Sequence, residues 1–246
     1  MISILKTALL LFLLVIPYFD SIVVAQRKFS RTYPASKNIR LQLINRTGTI
    51  TVEGWDKDAI QINADLESPP AIISPQNLTG TIVINVVKDN QGREDVGSVN
   101  FYIRMPHTAS VSIETLIGNL NVSNISGGLV RAHVTSEGDI RLINISALSV
   151  SAENVMGDIF FDGDIKPGGT YRFSSISGVI TLRIPFESSF RIVATAPSTR
   201  DISVDSLIDF GLRFVSEGRR VIGQVGGGDA TINVINQRGR IVFLRR

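Results

Sequence analysis

The chain has 246 residues, 43% of them hydrophobic, with 25 basic against 22 acidic side chains, two histidines and no cysteine. Disulfides, thiolate metal sites and a cysteine-linked lipid anchor are therefore excluded, and a net charge of +3 gives no basic excess of the kind a nucleic-acid surface requires. The length admits one domain or two, and the apolar share is enough to fill a core.

Met1 to Lys6 is weakly basic, Thr7 to Phe19 is an apolar run containing Pro17, and Asp20 leads into Val23-Val24-Ala25. That order predicts a secretory signal peptide over residues 1–25, because the run is shorter than the roughly 20 residues a spanning helix needs. The remainder, 26–246, is expected to be one exported domain, not membrane-spanning, bound for the periplasm, the cell surface or the extracellular side. Gln26 to Pro34 is polar and aperiodic and predicts a lead-in without regular structure, so order is expected from Ile39.

Ile39-Arg40-Leu41-Gln42-Leu43 alternates, Asn45-Arg46-Thr47-Gly48 is a turn, and Thr49 to Val52 is the return strand. Gly54-Trp55-Asp56 makes a corner before Ile60-Gln61-Ile62. The stretch 39–105 predicts an irregular N-terminal cap region: Ser68-Pro69-Pro70 and the charged loop Lys88 to Asp95 interrupt it. Thr81 to Val87 and Val99 to Arg104 predict a long antiparallel hairpin.

From Val111 to about Val204 the pattern Gly, any, aliphatic, any, apolar recurs. It reads Gly118-Asn119-Leu120-Asn121-Val122, Gly138-Asp139-Ile140-Arg141-Leu142, Gly157-Asp158-Ile159-Phe160-Phe161 and Gly178-Val179-Ile180-Thr181-Leu182. Arg200-Asp201-Ile202-Ser203-Val204 is a copy without the glycine, and the starts lie 20, 19, 21 and 22 residues apart. Further copies begin at Gly48, Gly80 and Gly239. Gly suits a tight corner and the alternation suits a short strand with one buried face, while a second alternating segment precedes each unit. A fixed period near 20 residues predicts an all-β, parallel β-solenoid or β-helix-like stack of two-strand rungs over 111–204. Ile140, Ile159 and Ile180 would form one buried column.

With these residues in view, the chain resembles the bacterial "putative adhesin" domain family. The resemblance rests on the Ile-rich first strand, the Asn45-x-x-Gly48-x-Ile50-x-Val52 return, the Gly54-Trp55-Asp56 corner and the Gly-Asp-Ile rungs, and it covers about Ser30 to Arg246. It implies an exported β-solenoid-like domain and supplies no catalytic residues.

The segment 205–246 predicts a C-terminal cap. Asp205 to Phe210 is open to a helical turn or an irregular corner, and Gly226-Gly227-Gly228 is the most flexible point by composition. Thr231 to Ile235 and Arg240 to Leu244 read as an antiparallel hairpin joined at Asn236-Gln237-Arg238-Gly239. Arg213, Arg219, Arg220, Arg238, Arg240, Arg245 and Arg246 make this end basic, either to meet an anionic envelope polymer or to protect a terminal strand.

Stacking would align Asp139 and Asp158 one rung apart, at roughly 4.8 Å. The pair can cap corner N–H groups, contribute to a calcium ladder, or act as acid and nucleophile on a glycoside. Capping is the reading we adopt, since no bidentate Glu and no aromatic cleft accompanies the pair. No cofactor is expected. His107 and His133 belong to no nucleophilic or metal motif, and His133 is expected to face solvent. The Asn-x-Ser/Thr sequences at Asn45, Asn77, Asn121, Asn124 and Asn144 read as corner residues. The functional expectation is a non-enzymatic envelope protein whose outward Arg141, Arg172, Thr181 and Arg191 meet an envelope polysaccharide or a surface protein. A carbohydrate-active enzyme and a sensory envelope module are the alternatives.

Overall fold

The computed structural model describes residues 27–204 and 212–246. The signal peptide over 1–25 and the corner or helical turn at Asp205 to Phe210 lie outside the described residues. Among the described residues the chain is all-β apart from one short helix, and its strands form two large, mostly parallel sheets of 10 and 11 strands.

The first third runs β1 (Arg27–Pro34), β2 (Arg40–Thr47), β3 (Ile50–Trp55), β4 (Ala59–Leu66), β5 (Gln76–Leu78), β6 (Thr81–Asn85), α1 (Val86–Asp89) and β7 (Val99–Pro106). Two expectations are corrected here. Residues 27–34 are a strand: β1 pairs antiparallel with β4 from Arg27 against Leu66 to Pro34 against Ala59. An edge strand is held through its backbone, and Phe29 and Tyr33 reaching the core is little for a periodicity to register. Nor do 81–87 and 99–104 form a hairpin. β6 lies parallel to β2 in the 11-stranded sheet, setting Ile82 and Ile84 beside Leu41 and Leu43, whereas β7 lies in the 10-stranded sheet parallel to β3, setting Phe101 and Ile103 beside Ile50 and Val52. Each apolar pair finds a matching pair in a different sheet, and that match overrides the loop between them.

The regular part consists of β8 (Ser110–Ile117), β9 (Leu120–Ile125), β10 (Leu129–Glu137), β11 (Ile140–Ile145), β12 (Ser149–Met156), β13 (Ile159–Gly163), β14 (Thr170–Ser177) and β15 (Val179–Ile184). Even-numbered strands lie side by side in the 11-stranded sheet and odd-numbered strands in the other. Leu120, Ile140, Ile159 and Ile180 stand in register on neighbouring strands, all fully buried. The two sheets meet through these inward side chains, with the Phe161 ring 5.1 Å from Phe173 and 6.1 Å from Tyr171 across the core. Each such aliphatic side chain contributes about 1.5–3 kcal/mol by leaving water.

Glycine is required at the corner between the paired strands for two reasons. Gly118, Gly138, Gly157 and Gly178 have φ of 131°, 153°, 126° and 123°. A Cβ on any of them would also stand 2.1–2.4 Å from the carbonyl oxygen of the corner glycine one repeat earlier, Gly48 in the case of Gly118. The corners nest backbone on backbone, and any side chain would pry them apart.

The last third runs β16 (Phe190–Thr195), β17 (Ile202–Ser203), β18 (Arg213–Val215), β19 (Arg220–Val225), β20 (Ala230–Asn236) and β21 (Arg240–Arg245). The segments 231–235 and 240–244 are not a hairpin. β20 and β21 lie in different sheets as a further two-strand unit, set between β14 and β16 and between β15 and β17. The copy at 200–204 is thereby displaced from the neighbour its spacing implied. Gly239 explains the exchange: a Cβ there would lie 1.7 Å from the Gly178 oxygen, so only a glycine can take that seat, and Arg200 cannot. Antiparallel pairing does finish this end, with β19 against β16 and β18 against β19.

Candidate functional site

Register sets what the outer faces carry. On the 10-stranded sheet Tyr102, Thr51, Asn121, Arg141, Phe160, Thr181 and Val242 occupy successive strands β7, β3, β9, β11, β13, β15 and β21 as direct neighbours. Phe160 lies between two guanidinium groups, Arg141 at 5.6 Å and Arg183 at 6.0 Å from its ring centre, within cation–π range. Arg183 is held by Asp162, and this hydrogen bond pushes its already high pKa further up. Asp162 is buried and also meets Arg246 at 3.1 Å, while Arg246 reaches Asp164 at 3.0 Å. At the end of the row Tyr102 is half exposed above a hollow of about 310 Å³ bounded by Thr51, Gln61, Asn63 and the Glu53–Arg104 ion pair.

Of the contact residues expected from sequence, Arg141 and Thr181 share this face. Arg172 and Arg191 lie on the opposite, 11-stranded sheet, on β14 and β16 with β20 between them. Sequence reasoning missed Phe160, Arg183 and Tyr102. The signal was available: each occupies an outward slot in an alternating strand, where an aromatic or a long cation has no core to fill.

Asp139 and Asp158 stand in one column. The Asp139 backbone N–H donates to Asn119 Oδ1 at 2.9 Å, the Asp158 N–H to Asp139 Oδ1 at 2.8 Å and the Val179 N–H to Asp158 Oδ1 at 2.7 Å. Thr49 N–H donates likewise to Asn100 Oδ1 at 2.8 Å. Each side chain thus serves the next corner rather than its own. Among the described residues no three acidic, histidine or cysteine side chains are grouped to hold a metal ion, and neither aspartate lines the hollow beside Tyr102.

A second series fills the same corner from inside. Buried Asn154 donates to Gly138 O at 3.2 Å and buried Asn236 to Gly178 O at 2.9 Å, while buried Asn45 donates to Val99 O at 2.9 Å. Asn45 is therefore a corner residue, as are Asn124 and Asn144 with φ of 58° and 54°, joined by a 2.8 Å side-chain bond. Asn45, Asn124 and Asn144 stand near the C-terminal ends of β2, β9 and β11, whereas Asn77 stands mid-strand in β5 and Asn121 near the start of β9, so these two are not corner residues.

At the opposite corner the Tyr171 hydroxyl accepts from Lys166 N–H at 2.7 Å and donates to Ala147 O at 3.0 Å. Burial pushes its pKa up, the Lys166 contact opposes this and Asp164 adds to it. The histidines are separate: His107 meets Asp56 at 3.2 Å, and His133, on the outer face, lies 3.7 Å from Glu114. The C-terminal arginines are largely engaged within the chain, Arg219 with Glu217, Arg240 with Asp201 and Arg245 stacked on Phe186 at 4.3 Å.

No protein-family model matches the chain, and no curated protein matches it by sequence. Among solved structures it is similar to a "putative cell adhesion protein" from Clostridium sporogenes, at 13% identity, TM-score 0.52, covering 90% of this chain and 100% of that one. The chain shares that protein's fold. A "putative adhesin" from Bacteroides fragilis is more distant, at 10% identity and TM-score 0.38, covering 91% of this chain and 99% of the other.

Proposed function

We propose that the chain is an exported, non-enzymatic protein of the cell envelope, built as a solenoid-type stack that holds its outer faces rigid for adhesion. The contact face is that of the 10-stranded sheet, and its ligand is an acidic envelope polysaccharide. The observation that carries this reading is Phe160 flanked by Arg141 and Arg183 on a register-locked surface. The ring holds Arg141 and Arg183 beside it, and their guanidinium groups offer N–H donors to the carboxylates of an acidic glycan. Shared fold with a protein named for cell adhesion supports the class of function, and the apolar segment before Ala25 supports export. No helix of the described residues is long and apolar enough to cross a membrane.

The test is binding to immobilised acidic and neutral glycans. Arg141→Glu and Phe160→Ala should each lower retention on the acidic glycans with the melting temperature unchanged, whereas Arg172→Glu on the other sheet should not. Equal loss from both faces, or hydrolysis of a glycan, would sink the proposal. Mass spectrometry of the exported protein should find its first residue at or near Gln26.

A further inference from the structure

A hollow of about 480 Å³ lies where α1 and the loop after it stand off the ends of β2 and β8, a size that suits a small ligand. Its walls are Ile44, Val86, Val87, Val96, Val99 and Leu116, and its mouth carries Arg46, Arg93 and Glu114. It is well built. Buried Asn90 fixes the outer wall, donating to Ile72 O and Val86 O at 2.8 Å each and accepting from Ile72 N–H at 2.8 Å and Arg93 at 3.0 Å, so both ends of its amide are used. Arg93 also donates to Pro70 O at 3.2 Å, and the Gly97 N–H to Pro69 O at 2.8 Å. The wall therefore holds its distance from the sheet without a filling side chain.

Among the described residues the arginines at the mouth bond to neutral oxygens, Arg46 to Arg93 O at 3.2 Å and Arg93 to Asn90 and Pro70. Glu114 points to His133 at 3.7 Å on the sheet face. The apolar lining also continues outward. Val87 and Leu116 are 49% and 44% exposed, and Ile117, Met156 and Ile176 lie exposed at the C-terminal ends of β8, β12 and β14. Exposed aliphatic side chains that adjoin an apolar hollow suit a contact site.

We propose that this hollow binds the aliphatic chain of a single-chain carboxylate amphiphile, with the carboxylate held at the mouth by Arg46 and Arg93. The lining gives the chain an apolar environment, and the two guanidinium groups, set against the single carboxylate of Glu114 in that lining, supply the N–H donors. The site is distinct from the sheet face proposed for adhesion, so either can fail alone.

The purified chain titrated calorimetrically with sodium decanoate below its micelle concentration should bind one equivalent saturably, and sodium butyrate, which has the head without the chain, should not. Val87→Asp should weaken decanoate at least tenfold and Arg46→Gln about tenfold, in line with the loss of a charge-assisted contact. Both residues are exposed, so melting should be unchanged; if Val87→Asp melts early, Leu116→Gln replaces it with the same expectation. Absence of saturable decanoate binding, equal binding of butyrate, or unchanged affinity in Arg46→Gln would each overturn the proposal. So would dimerisation that Val87→Asp abolishes, since the occupant would then be a second copy.

Discussion

Residues 110–184 and residues 185–246 obey the same local rules and assemble differently. In the first stretch each strand pairs with the strand one repeat away, so sequence order and spatial order agree. In the second, β16 and β17 are passed over and β20 and β21 take the places beside β14 and β15. Both stretches present alternating aliphatics that fit the same core. What separates them is one atom at the corner, because Gly239 can approach Gly178 and Arg200 carries a Cβ that cannot. Side-chain alternation chooses the sheet and the face, while backbone approach at the corner chooses the neighbour.

The largest effect tests the shared core. Ile159→Asp places an unpaired charge between Ile140 and Ile180 and should unfold the chain, whereas Arg141→Asp, on the outward side of the adjacent strand, should shift the melting temperature by a degree or two. Equal melting of the two would remove the register on which the comparison stands.

That column was legible because a period of two along the strand and a period near 20 between repeats both point to the same slots, Ile140, Ile159 and Ile180. Two other features were legible only in part. Residues 27–34 carry too few apolar positions to reveal an edge strand that pairs through its backbone with β4. The order of the last strands depends on whether a corner can nest, and the sequence signal was there as glycine at 239 and its absence at 200. The outward site was thinly visible: Arg141 was expected on it, but its grouping with Phe160 and Arg183 is a product of register across three strands.

The next effect isolates the corner. Gly239→Ala and Gly157→Ala should each cost roughly 3 kcal/mol or more, since the new methyl meets a carbonyl oxygen that belongs to the next backbone. Gly168→Ala is the control: φ there is 73° with nothing within 4 Å of the added atom, so only the left-handed backbone is penalised, at about 1–2 kcal/mol. Chemical denaturation of the three variants should rank them in that order. A cost for Gly239→Ala no greater than for Gly168→Ala would mean that corner approach does not set the strand order.

Tyr171 gives a smaller, pH-dependent effect in the middle stretch. Tyr171→Phe leaves the Lys166 N–H and Ala147 carbonyl short of a partner and should cost about 1–3 kcal/mol at neutral pH. Burial raises the phenol above its ordinary 10.0, so the folded chain favours the neutral form. Its contribution is complete below pH 10.0 and is lost as pH rises through the folded value, because the unfolded phenol ionises first. Wild type should therefore destabilise above that pH more steeply than Tyr171→Phe in thermal melts.

The smallest expected effect decides what the aspartate column is for. Asp158 Oδ1 accepts the Val179 N–H at 2.7 Å, and its own N–H is served by Asp139 at 2.8 Å, so the column is a chain of corner bonds running from one repeat to the next. An amide oxygen accepts the same bond, and Asp158→Asn also removes repulsion from Asp139 one strand away, at roughly 4.8 Å. The variant should melt within about a degree of wild type, whereas Asp158→Ala, which strands the Val179 N–H, should lose about 1 kcal/mol. A bound cation would reverse the ranking, since a ligand that binds only the folded state stabilises it by mass action and Asn would surrender the charge that holds it. Added calcium should therefore leave the wild-type melting temperature where it is. A calcium-dependent rise of several degrees, abolished in Asp158→Asn, would turn the ladder from a corner device into a metal site and would set the middle stretch apart from the C-terminal one, where Arg240 lies between Val179 and Asp201 in that slot and meets Asp201 at 3.2 Å.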